Sequence, residues 1–129
     1  MKQKKQEKLF KKYPQFFKER NLSPMESLMC FGIMCGDGWY KLIDETCEKI
    51  KPHTGKSFVF VEIKEKYGGL RIYYCGEIDK KGRDIITKAE NKSEKICEEC
   101  GNPGQIIEIN NWYYTLCKKC ENKLRKEKG

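Results

Sequence analysis

The chain has 129 residues, of which 38% are hydrophobic and 36% charged, and its mean hydropathy is -0.81. These values predict one small domain, or a small domain with an appended module, and exclude a large apolar core. No run of about 18 apolar residues is present, so no membrane span is predicted, and the basic start lacks the apolar segment of a secretory signal.

The formal net charge of +8 is concentrated at the two ends of the chain. Residues 1–20 carry eight Lys or Arg and two Glu, and residues 118–129 carry six Lys or Arg and two Glu. Basic ends favour contact with nucleic acid or another polyanion, although they are also common as solubilising termini. With no secretory signal, the sequence predicts a cytoplasmic protein with reduced thiols.

The N-terminal third is predicted to be helical. Residues 3–13 indicate an amphipathic helix that a proline ends, and residues 15–20 indicate a short second one. The sequence Ser-Pro-Met-Glu at 23–26 has the form of a capping box. The apolar run over 25–35 therefore predicts a buried helix, and helical spacing predicts another over 39–50.

The apolar period then changes to two residues, which indicates strands. Residues 57–64 alternate so that Val59, Val61 and Ile63 share one face, and residues 70–75 repeat the pattern. A Lys-Tyr-Gly-Gly turn lies between the two segments. The sequence predicts an antiparallel β-hairpin here.

A helix over 84–95 and a second hairpin complete the predicted elements. The strands of this hairpin are residues 105–109 and 112–116. Asn110 and Asn111 join them, because asparagine tolerates the left-handed conformation of a tight turn.

Four of the eight cysteines have the spacing of a metal site: Cys97, Cys100, Cys117 and Cys120. Each Cys-x-x-Cys turn makes two sulfurs converge, and a hairpin between the pairs brings its own two ends together. Four thiolates can then surround one ion tetrahedrally at about 2.3 Å. This pattern predicts one structural zinc ion with no open coordination position. Two disulfides or two redox pairs are the alternatives.

Candidates for catalysis are few. Glu62 and Lys64 form the Glu-x-Lys pattern of metal-dependent nucleases, which need a second acidic residue on a neighbouring strand to hold Mg²⁺. The nearby acids Asp37, Asp44 and Glu48 fall in segments predicted to be helical or to precede a helix. The sequence therefore argues against an enzyme without deciding the point. No catalytic residue is assigned, and a magnesium-dependent nuclease remains an alternative.

Three stretches in this order resemble small zinc-ribbon proteins encoded by bacteriophages and prophages. They are CGDGWY at 35–40, KEKYGGLRIYY at 64–74, and the two Cys-x-x-Cys pairs with the strand at 112–116. The resemblance spans roughly residues 13–120. It implies a phage accessory protein, a class whose members often act on host machinery, including immunity, by binding, and it supplies no activity of its own.

The predicted fold is α+β, with helices packed on a small antiparallel hairpin over 1–95 and a zinc ribbon with a basic tail over 96–129. The predicted function is binding of a host protein or protein–nucleic acid complex, which would counter host defence. Direct nucleic-acid binding through the basic ends and the hairpin aromatics is the alternative. No membrane partner is predicted. The candidate partner-binding residues are Lys66, Tyr67, Arg71, Tyr73, Lys118 and Lys119.

Overall fold

The computed structural model describes all residues from 1 to 129 and has an α+β fold, as the sequence predicts. The helices are α1 (Gln3–Lys12), α2 (Tyr40–Ile50), α3 (Lys80–Ser93) and α4 (Lys118–Lys128). The strands are β1 (Ile33–Met34), β2 (Val59–Lys66), β3 (Gly69–Cys75), β4 (Gln105–Ile109) and β5 (Trp112–Leu116). None of the helices combines the length and apolar content that crossing a membrane requires.

The larger sheet has the strand order β1-β2-β3. Strands β2 and β3 form the predicted antiparallel hairpin, and Tyr67 and Gly68 make its turn at φ values of 54° and 83°. Two positive φ values match the twist of a two-residue hairpin turn. The third strand, β1, pairs in parallel with β2 and places Ile33 opposite Ile63. No local sequence pattern indicates β1, which lies within the segment predicted to be helical.

A β-bulge changes which side chains of β2 face the core. The register shifts between Phe60 and Glu62, so the extra residue Val61 is only half-buried. Phe60 and Ile63 are buried on the inner face. The prediction that Val59, Val61 and Ile63 share one face was therefore wrong, because a bulge interrupts the alternation.

An aromatic cluster joins the N-terminal segment to this inner face. The ring of Phe16 lies 5.3 Å from that of Phe58 and 5.6 Å from that of Phe60, centroid to centroid. On α1, Leu9 and Phe10 are buried in the same core. The basic N-terminal dozen residues therefore include part of the core and do not form a detachable tail.

The buried helix predicted over 25–35 is absent. A short 3₁₀ turn (Leu28–Phe31), capped by Ser27, stands in its place, and Met25 is 96% exposed. Gly32 ends the turn at a φ of 74°, which only glycine adopts readily. The chain then extends into β1, since pairing with β2 requires an extended backbone.

Side chains from two helices cover the outer edges of the larger sheet. Along β3, the N–H groups of Leu70 and Ile72 donate to Ser93 Oγ and Glu90 Oε2 of α3, each at 2.9 Å. Along β1, the N–H of Ile33 donates to Gln6 Oε1 of α1 at 3.0 Å. The helix α3 begins at Lys80, earlier than predicted.

The second hairpin has the predicted bounds. Strands β4 and β5 pair in antiparallel register, and Asn110 and Asn111 turn the chain at φ values of 52° and 66°. The helix α4 follows β5 after Cys117. This hairpin carries the cysteine pairs at its base.

Candidate functional site

Four cysteines converge at the base of the second hairpin. The Sγ atoms of Cys97, Cys100, Cys117 and Cys120 all lie within 4.8 Å of one another, and those of Cys100 and Cys117 are 3.6 Å apart. A tetrahedron with metal–sulfur distances of about 2.3 Å has edges of about 3.8 Å. The Sγ–Sγ distance is far longer than a disulfide bond of about 2.05 Å. The arrangement therefore fits one metal ion better than disulfides.

Local backbone geometry holds each cysteine pair. In the first pair, the N–H of Gly101 donates to the carbonyl of Cys97 at 2.9 Å, and Gly101 adopts a φ of 83°. In the second pair, the N–H of Cys120 donates to Cys117 Sγ at 3.5 Å. Cys97 is buried and Cys100 is exposed. The ligand cluster thus lies at the rim of the fold, with one side open to solvent.

Hydrogen bonding and burial shift the thiol pKa values in opposite directions. The N–H of Cys120 lowers the pKa of Cys117 to about 7, because this donor favours the thiolate. Burial, followed by the neighbouring thiols, raises the pKa of Cys120. A bound cation would replace the protons of all four thiols, since thiolates are the ligand form. A donor set of sulfur alone is typical of structural tetrahedral sites.

The CGDGWY stretch lies directly against the first cysteine pair. The N–H of Gly38 donates to the carbonyl of Glu98 at 2.6 Å, and Trp39 Nε1 donates to the carbonyl of Ile96 at 2.9 Å. A Cβ atom at Gly38 would lie 2.1 Å from the carbonyl oxygen of Cys97. Glycine is therefore required here for the close approach of two backbones. We call this contact the seam, defined by Gly36, Gly38, Trp39 and residues 96–98.

The turn of the first hairpin contacts the second hairpin. Thr115 Oγ1 on β5 is buried and donates to the carbonyl of Gly68. A Cβ atom at Gly68 would lie 3.3 Å from the backbone of Tyr114. The stretches CGDGWY and KEKYGGLRIYY thus both contact the cysteine-bearing segment.

The six predicted partner-binding residues lie in two places. Lys66 and Tyr67 are exposed at the turn of the first hairpin, and Tyr73 is 40% exposed on the same sheet face. Arg71, on that face too, is half-buried, and its Nη1 donates to the carbonyl of Leu70. Lys118 and Lys119 are exposed at the start of α4. These two lysines therefore lie on a different element from the other four residues.

Sequence reasoning missed two exposed aromatic residues. Trp112 is 61% and Tyr113 is 44% exposed, and both follow the Asn-Asn turn of the second hairpin. With Tyr67 they line a cleft of about 350 Å³ between the two hairpin turns. Side chains at a hairpin tip have few neighbours to cover them. An aromatic pair directly after the Asn-Asn turn could therefore have indicated from the sequence that Trp112 and Tyr113 are exposed.

The Glu-x-Lys pattern belongs to no group of three potential metal ligands. Lys64 Nζ is 3.6 Å from Glu62 Oε2 within the same strand. Asp44 and Glu48 on α2 both lie within hydrogen-bonding distance of the Tyr13 hydroxyl. The four cysteines are the one group of three or more potential metal ligands in the structure.

Comparison with known proteins assigns no family to the chain: no family model, curated protein or solved structure matches it. Function is therefore inferred from the cysteine cluster and from the exposed surface at the two hairpin turns.

Proposed function

We propose that this is a phage-type accessory protein of the host cytoplasm that binds a host protein or protein–nucleic acid complex and thereby counters host defence. One structural zinc ion, held by Cys97, Cys100, Cys117 and Cys120, orders its C-terminal hairpin. The observation that carries the proposal is the exposed aromatic and basic surface at the two hairpin turns.

The chemistry of the cysteine cluster supports zinc. Four sulfur ligands suit a tetrahedral Zn²⁺ site, and they close the coordination shell so that no position remains for a reacting water. The hairpin around the cluster has little core of its own, since Ile106 is 43% and Trp112 is 61% exposed. A bound ion would supply the folding free energy that this small segment lacks.

The exposed side chains support binding as the activity. Tyr67, Tyr73, Trp112 and Tyr113 are all at least 40% exposed, although tyrosine and tryptophan are usually found largely covered. These residue types, with arginine, contribute most to binding energy at macromolecular interfaces. The cysteine cluster lies at the base of the hairpin whose turn presents Trp112 and Tyr113, so an ion bound there would order the hairpin that carries this surface.

Elemental analysis of purified protein tests the metal assignment. We expect one zinc ion per chain, and its loss in Cys97→Ser and Cys120→Ser. Cys75→Ser is the matched control, because Cys75 is exposed and lies outside the cluster. Iron in place of zinc, or retention of the metal in both cluster variants, would contradict the assignment.

Affinity capture from host lysate, with and without nuclease, tests the binding function. We expect the protein to enrich a defined host component and the double variant Arg71→Ala/Tyr73→Ala to lose it. The control variant is Lys88→Ala, an exposed residue on α3. A partner retained equally by all three proteins would show that this sheet face is not the contact surface. Failure to enrich any component would argue against the function itself.

A further inference from the structure

The cleft between the two hairpin turns is open, and rings on both sides of it are exposed. Tyr67 contributes from the first turn, and Trp112 and Tyr113 contribute from the second. Their exposed fractions are 69%, 61% and 44%. The volume of about 350 Å³ falls in the lower part of the range for ligand clefts, about 300–1,000 Å³.

These rings play no part in the core. Every ring–ring contact in the protein is made among residues 10–17, Phe58, Phe60 and Tyr74. Tyr67, Trp112 and Tyr113 therefore stack on no other ring of the protein, and their exposed parts are available to a planar ligand.

The backbone at Tyr67 is strained. Its φ of 54° lies in the left-handed region, where glycine or asparagine is usual and a bulky aromatic residue is rare. The tyrosine contributes nothing to the core that would offset the strain, because its ring is mostly exposed. Strained residues of this kind cluster at ligand-binding positions.

Cations lie at the cleft and on the adjoining sheet face. The lining contains one cation, Lys66, whose Nζ lies 5.6 Å from the centroid of the Tyr67 ring, and one carboxylate, Glu65, which accepts from the N–H of Gly68 at 2.8 Å. Arg71 adds a second cation on the sheet face that carries Lys66. Cations beside exposed aromatic rings match a ligand that alternates phosphates and bases.

We propose that this cleft binds single-stranded nucleic acid, with bases stacked on Tyr67 and Trp112 and phosphates on Lys66 and Arg71. The inference rests on the proposed function, because it names the part of a protein–nucleic acid partner that the surface contacts. Stacking on aromatic faces tolerates any base, so binding should show little sequence preference. A duplex keeps its bases stacked on each other and should bind more weakly.

Anisotropy and tryptophan fluorescence of the zinc-loaded full chain test the proposal. The probes are labelled single-stranded DNA and RNA of about 16 nucleotides, with a duplex of the same sequence. We expect single strands to quench Trp112 emission, whereas Trp39 is fully buried and should be unaffected. Tyr67→Ala and Trp112→Ala should each weaken binding by about tenfold. Lys66→Gln should reduce the log–log salt slope by about 0.7.

Two controls separate stacking from general charge attraction. Trp112→Phe should keep most of the affinity while losing the quenching. Phe31→Ala removes an aromatic residue of similar exposure, 56%, elsewhere on the surface and should bind as the parent does. Equal affinity for the duplex, or unchanged affinity in both alanine variants of the cleft, would overturn the proposal in favour of diffuse binding to the basic helices.

The outcome is separable from that of the proposed function. If single strands fail to bind even at low salt, the inference is wrong. Nuclease-resistant capture of a host protein that Tyr67→Ala abolishes would then retain the proposed function and make the cleft a protein-binding site.

Discussion

Gly38 shows how a single hydrogen atom in place of a side chain determines a tertiary contact. Its backbone approaches Cys97 and Glu98 so closely that any Cβ atom would overlap a carbonyl oxygen. The same approach lets the Gly38 N–H donate to Glu98 at 2.6 Å. Neither Cys97 nor Glu98 can move easily, because Cys97 is a predicted metal ligand and Glu98 is its neighbour in the chain.

We expect Gly38→Ala to lower the free energy of unfolding by about 1–3 kcal/mol, because the added methyl group forces two backbones apart. Urea unfolding of the zinc-loaded protein and of the variant measures this difference in the free energy of unfolding. The matched control is Gly69→Ala, where the nearest atom, Arg71 Nη1, is the mobile end of a long side chain. Similar loss of stability in both variants would contradict the role given to the seam.

Asp79, at the start of α3, makes a contribution to the stability of the fold that depends on pH. The N–H of Gly82 donates to its carboxylate at 2.8 Å, and His53 Nδ1 lies 3.0 Å away. These two contacts, the backbone bond first, lower the pKa of Asp79. A lowered folded-state pKa means that the unfolded chain binds the proton more readily. The carboxylate therefore stabilises the fold above the unfolded-state pKa of about 3.9.

We expect Asp79→Asn to be less stable than the parent at neutral pH and the difference to vanish as the pH falls through the folded-state pKa. Asparagine can still accept the cap hydrogen bond, so only the charge is tested. Asp79→Ala loses the cap as well and should be less stable at every pH. Chemical denaturation across acidic to neutral pH distinguishes them. A constant difference between parent and Asp79→Asn would refute the charge effect.

At the scale of elements, α3 acts as a cover for the edge of β3. The buried Ser93 hydroxyl accepts a hydrogen bond from the N–H of Leu70 and donates one to the carbonyl of Glu90.

We expect Ser93→Ala to destabilise the protein by about 1–3 kcal/mol, because the buried N–H of Leu70 loses its partner. Thr87→Ala, an exposed site on the same helix, should change stability by less than about 0.5 kcal/mol. Equal effects at the two sites would show that the edge contact is energetically unimportant.

Elements specified by nearby residues were predictable from the sequence. Both hairpins follow from alternation of apolar residues and from turn sequences that allow positive φ. The cysteine cluster follows from two short spacings joined by one of these hairpins.

Features that depend on distant partners were not predictable. The strand β1 exists because Ile33 meets Ile63, and the apolar run that contains it gives a local pattern that favours a helix. The seam joins Gly38 to Glu98, which lies sixty positions along the chain. The exposure of Trp112 and Tyr113 depends on what packs against the second hairpin, which no local pattern specifies.

For the whole molecule, the cysteine cluster and the larger sheet are linked through the seam and through the bond from Thr115 to Gly68. We expect chelation of the proposed metal ion to raise hydrogen exchange first in residues 96–129 and next at the turn of the first hairpin. The core around α1, α2 and β2 should stay protected longest, since it holds the buried aromatic cluster. Exchange measured by mass spectrometry with and without chelator, and in Cys120→Ser, resolves the order. Simultaneous loss of protection throughout the chain would show a single cooperative unit instead.

Both outer strands of the larger sheet already have side chains at their hydrogen-bonding positions: Ser93 and Glu90 along β3, and Gln6 along β1. A strand from a second molecule would have to displace these groups before it could add to the sheet. Edge-to-edge pairing is the usual route by which small β-containing proteins polymerise. Addition of a second copy at either edge of this sheet is therefore disfavoured.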